Sequence, residues 1–77
     1  MSTDETPDSF QIAEENSLAF ALRYSQGRTV FPAPQPALTP VEISDLADRI
    51  ALSYSWLDHS EGDRAYAYIL ESFLATR

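Results

Sequence analysis

Apolar positions recur with helical spacing in three parts of the chain. The clearest stripe is Ile43, Leu46, Ala47, Ile50, Tyr54 and Leu57, which follows the i, i+3, i+4, i+7 rule. Its beginning is equally marked: in Thr39-Pro40-Val41-Glu42, Thr suits the N-cap, Pro the first helical position and Glu the third. The pattern predicts a helix over residues 40–56. A second stripe, Tyr66, Ile69, Leu70 and Phe73 with Leu74 at its edge, predicts a helix over 60–75, with Ser60 as its N-cap. The first helix is expected over 9–26, capped by Asp8 or Ser9 and stopped by Gly27.

Between the first two helices lie Pro32, Pro34 and Pro36, with Pro40 just beyond. Proline forbids a helix there and favours extended or polyproline II backbone, so residues 27–39 read as a stiff connector, with Val30 and Phe31 expected to pin it to the core. Its reach allows the first two helices to lie parallel or steeply crossed without a tight hairpin. Residues 1–8 are polar and acidic and read as a flexible arm. The expected fold class is therefore all-α: a single small three-helix domain over 9–77 with a proline-rich extended connector between helices one and two.

Charge and size narrow the functions such a domain can serve. The 77 residues carry five Arg, no Lys and 12 Asp plus Glu, a formal charge of -7. Phosphate-backbone affinity comes largely from Lys and Arg, so direct nucleic-acid binding is disfavoured, as is an anionic membrane surface. The longest apolar run, Leu18-Ala19-Phe20-Ala21-Leu22, is far short of the roughly 20 residues that cross a bilayer. An acidic beginning is also unlike a secretory signal, so a cytoplasmic location is the expectation. With no cysteine the chain has no disulfide or thiolate metal site, and one core of this size supplies only ~3–5 kcal/mol, which favours support from an oligomer or partner.

Catalytic chemistry finds little footing. Asp58-His59-Ser60 names the members of a serine triad, but consecutive residues cannot point at one another as a triad requires. If Asp58 opened a calcium loop, Gly62 would fall at position five instead of six, so Asp58, Glu61 and Asp63 fit capping better than ligation. Glu42, Asp45 and Asp48 form an i, i+3, i+6 acidic row with no sign of burial. Two glycines cannot build a phosphate-cradling loop. The expectation is a non-enzyme with no cofactor and no metal.

Large apolar groups that cannot share the core stripe carry the remaining information. Leu52 and Trp56 are an i, i+4 pair on the far side of helix two from Ile43, alongside Val41, Asp45 and Arg49. Either they form a partner surface with Asp45 and Arg49, or the helix ends near Tyr54 and Trp56 folds back over the core. On helix one the Leu18–Leu22 run is apolar in nearly every direction, so Leu18, Phe20 and Leu22 are expected to form a self-association seam, the competing arrangement being a wrap by Val30 and Phe31. The function expected is a small acidic protein–protein interaction module (adaptor, inhibitor or accessory subunit), with a homodimer as the expected oligomer. The alternative is an acidic mimic of nucleic acid that inhibits a DNA- or RNA-binding protein, such as a mobile element would direct against host defence, through Glu14, Glu15 and the row on helix two.

Overall fold

The computed structural model describes residues 9–33 and 38–76. The fold is all-α, with helices α1 (Ser9–Ser25), α2 (Pro40–Ser53) and α3 (Ala67–Ala75), and no strand among the described residues. Between α2 and α3 the chain winds more tightly, in 3₁₀ segments at Tyr54–Trp56 and His59–Tyr66.

The ends of the first two helices follow directly from their residues. The Thr39 hydroxyl accepts the Glu42 N–H at 3.2 Å and the Glu42 carboxylate accepts the Thr39 N–H at 2.9 Å, with Pro40 at the first helical position. Such a cap contributes about 0.5–2 kcal/mol. At the other boundary Gly27 takes φ 69°, and the N–H groups of Gly27 and Arg28 donate to the carbonyls of Tyr24 and Arg23, at 3.0 and 2.9 Å. This is a Schellman ending, in which the left-handed residue needs to be Gly.

Helices α1 and α2 run antiparallel. At the start of α1, Phe10, Ile12 and Ala13 share a groove with Ala51 and Leu52 at the end of α2, and from mid-helix the Asn16 amide donates to the hydroxyl of Tyr54, just past that end, at 2.9 Å. Around the middle of α1, Glu14 and Leu18 share a shallow groove with Ser44, Ala47 and Asp48 from the middle of α2. The buried stripe of α1 is Ala13, Ser17, Phe20, Ala21 and Tyr24, and that of α2 is Leu46, Ala47, Ile50 and Ala51. Small side chains on both helices let the backbones approach closely, and the aromatic ones fill the space toward α3. There Phe20 meets Tyr66 at 4.6 Å between ring centroids, and Ile69, Leu70 and Phe73 complete the core.

Two features of this core give measurable expectations. The Ser17 hydroxyl is fully buried without a hydrogen-bond partner. An unpaired buried hydroxyl costs about 1–3 kcal/mol, so Ser17→Ala is expected to raise the urea midpoint by the equivalent of roughly 1 kcal/mol; a lowered midpoint would mean that the hydroxyl is satisfied. Burial also pushes the Tyr66 phenol above its ordinary value, helped by the neighbouring Tyr54. The folded protein therefore holds that proton more tightly than the unfolded chain. Its contribution is complete below about pH 10, where the unfolded phenol begins to ionise, and is lost as pH rises through the folded pKa. Tyr66→Phe should flatten this alkaline limb of the stability profile, measured by urea unfolding against pH.

The structure corrects four expectations. Val30 is 91% exposed and Phe31 is also exposed, its ring lying under the Arg64 guanidinium at 4.8 Å, so neither pins the connector to the core. Thr29 is the buried residue of that turn, and its hydroxyl donates to the Pro32 carbonyl at 3.2 Å. Ser60 does not cap helix three: its N–H donates to Asp58, which caps the 3₁₀ segment His59–Tyr66, and a break at Gly62 delays regular α-helix until Ala67, where the N-cap residue Tyr66 makes no side-chain capping bond. Helix two gives way to 3₁₀ winding after Ser53, three residues before its expected end at residue 56, where His59 Nε2 lies 2.7 Å from the Tyr54 carbonyl oxygen. Finally, α1 is not buried all round, because Leu18 and Leu22 remain partly exposed. The expected acidic arm over 1–8 and residues 34–37 of the expected connector, which hold Pro34 and Pro36, lie outside the described residues.

Candidate functional site

With Leu46, Ala47, Ile50 and Ala51 turned inward, helical geometry points Val41, Asp45, Asp48, Arg49 and Leu52 outward, and all five are exposed. Leu52 is 73% exposed and Trp56 85%. The helix does end before Trp56, but the indole stays outside, because the 3₁₀ turn carries it away from the core. The partner-surface residues Leu52, Trp56, Asp45 and Arg49 therefore all reach solvent. Arg49 also lies over the Phe73 ring at 5.5 Å, which draws its stem toward α3.

Helix α3 adds a residue that the sequence reading passed over. Tyr68 is 79% exposed and lines one groove with Trp56 and Leu57 and an adjoining one with Arg49 and Leu52. It lies off the stripe of Tyr66, Ile69, Leu70 and Phe73, which is the same signal that singled out Leu52 and Trp56. On the opposite side of Leu52 lies a groove of about 500 Å³ between the start of α1 and the end of α2. Small Ala13 and Ala51 floor it, Phe10, Ile12 and Tyr54 wall it, and Ser55 and His59 supply its polar edge. Leu52 lines both this groove and the one it shares with Tyr68, so that Leu52, Tyr68 and, through the adjoining groove, Trp56 follow one another along one face.

The expected seam on helix one does not form as a unit. Phe20 is fully buried between Tyr24 and Tyr66, so it cannot meet a second molecule, whereas Leu18 and Leu22 are exposed. Inside an unbroken apolar run the sequence gives no direction; the direction is set by small Ala13, Ser17 and Ala21, which make the close contact with α2.

The ionisable groups around the third element are structural in their contacts. The Asp58 carboxylate accepts the Ser60 hydroxyl at 2.6 Å and the Ser60 N–H at 3.1 Å, and these bonds, the hydroxyl first, hold its pKa below the usual value. Asp63 pairs with Arg23 at 2.9 Å. His59 is exposed, packs its ring 4.0 Å from that of Tyr54 and faces the Tyr54 carbonyl instead of forming a triad. Glu42 is engaged in the α2 cap, which separates it from Asp45 and Asp48. Among the described residues no three His, Cys, Asp or Glu gather closely enough to hold a metal ion, and no helix is long and apolar enough to cross a membrane.

No protein-family model, curated protein or solved structure matches the chain.

Proposed function

We propose that this chain is a small acidic protein–protein interaction module, without catalysis of its own, that acts as an adaptor, inhibitor or accessory subunit. The observation that supports this reading is the face built from Leu52, Trp56 and Tyr68 beside an apolar groove. Large aromatic anchors dominate interface energetics, and a single Trp placed almost wholly in solvent contributes little to its own fold. Asp45 and Arg49 place both charge signs at the rim, where they favour register over affinity. The nucleic-acid-mimic reading draws less support, since Glu42 is turned into a cap and Arg49 interrupts the acidic surface.

The test uses the double variant Leu52→Glu/Trp56→Glu. Both side chains are exposed, so the variant is expected to unfold within about 0.5 kcal/mol of the parent per site. It should nevertheless lose a specific protein that the parent retains in affinity capture from native lysate. Retention of every captured protein by a folded variant would remove this face from the function. A captured nucleic-acid-binding protein released only at high salt would favour the mimic.

A further inference from the structure

We infer that the partner of this face is a second copy of the chain, docked about a two-fold axis at Leu52 so that Trp56 of each copy enters the α1–α2 groove of the other. The inference rests on the proposed reading of the face as an interaction surface and names its occupant.

Three observations carry it. First, knob and hole sit on one face on either side of a shared residue: Leu52 lines the groove walled by Phe10 and Ile12, and it also lines a shallow groove with Tyr68, which stands with the exposed Trp56 across an adjoining one. A two-fold contact requires a surface complementary to itself, so that a ridge on one side of the axis meets a groove on the other. This face has that arrangement, and a groove of about 500 Å³ has room for an indole ring. Second, the exposed aromatic and aliphatic groups reach the area that a stable dimer needs. Aromatic side chains bury ~150–250 Å² each, so Trp56, Tyr68 and Phe10, with Leu52 and Ile12, approach the ~800 Å² per partner of a standard interface once the rim is added. Third, the face bears Asp45 and Arg49 together, and a two-fold operation can set these opposite charges across the axis. A partner selected by the chain's net charge of -7 would be met better by a uniformly acidic face.

Sedimentation velocity of the full chain from about 1 to about 500 µM gives the first readout. A monomer–dimer equilibrium is expected, with the emission of Trp56 shifting to the blue as concentration rises, since the chain contains one Trp and it is exposed in the single copy. Trp56→Ala should weaken association by about 30-fold or more, as removal of a central aromatic anchor does. Added salt should preserve or strengthen the dimer, because both copies are negative. The placement of the axis is tested separately. The chain has no cysteine, so Leu52→Cys should give a covalent dimer on mild oxidation, its Cα atoms within the ~7 Å that a disulfide tolerates, while Leu22→Cys on α1 should not.

A parent that stays monomeric throughout overturns the inference, and the interaction-module reading is then decided by the capture experiment alone. A dimer that survives Trp56→Ala, or that crosslinks through Leu22→Cys and not Leu52→Cys, overturns it as well and moves the contact to α1. Monomeric behaviour together with unchanged capture by the double variant removes both readings.

Discussion

Phe20→Ala is expected to leave about half of the chains unfolded at room temperature. The ring is wholly buried, 4.6 Å from the Tyr66 ring and 6.3 Å from that of Tyr24, with the Arg23 guanidinium 5.8 Å from its centroid. Truncating a buried Phe removes about 3–5 kcal/mol, made up of transfer energy and the cavity left behind. A core of this size holds a domain together by roughly the same amount, so the folded and unfolded forms should become comparable in population. Far-UV circular dichroism and urea unfolding provide the measurement. Leu22→Ala, two positions along the same helix but partly exposed, should cost far less. Unchanged unfolding of Phe20→Ala would take Phe20 out of the core and restore it to a surface role on α1. The proposed dimerisation through Leu52 would add a concentration dependence, so the comparison belongs at a concentration where the parent is monomeric.

Phe20 also marks the boundary of what the sequence makes legible. The start of α2 is written in four consecutive residues, because a capping box is local and needs no distant partner. The inward stripes of α2 and α3 are equally readable, since polar residues such as Asp45, Asp48 and Glu71 mark their outer sides. In Leu18–Leu22 that contrast disappears, and the inward direction depends on Ala13, Ser17 and Ala21 meeting α2, a long-range contact. Leu52 and Trp56 were recognisable as residues too large to waste off the stripe, and Tyr68 obeyed the same rule on α3. Their union into one face was not legible, because it depends on how the chain turns between Leu57 and Ala67. That turn is governed by backbone angles at single residues and by contacts such as Arg23 with Asp63, forty positions apart.

Gly62 is the residue on which that turn depends most directly. Its φ of 62° and ψ of -134° interrupt the 3₁₀ winding between the Asp58 cap and Asp63. An L-amino acid is strained there, at a cost of roughly 1–3 kcal/mol, although a Cβ would meet nothing within 4 Å. Gly62→Ala is therefore expected to lower stability by that amount through the backbone alone, a substantial share of the total for so small a domain. Chemical synthesis is practical for 77 residues and allows the mirror-image control. D-alanine favours positive φ and Gly62 is exposed, so it should be neutral or should stabilise by up to about 1 kcal/mol through the unfolded state. Losing the Arg23–Asp63 pair cannot produce the same pattern: Asp63→Asn removes a partly exposed ion pair worth about 0–1 kcal/mol and is indifferent to handedness at position 62. Equal destabilisation by L- and D-alanine would locate the cost in a contact at Gly62 instead of its φ. A loss with L-alanine alone ties the path from α2 to α3, and with it the position of Tyr68 beside Leu52 and Trp56, to one backbone conformation.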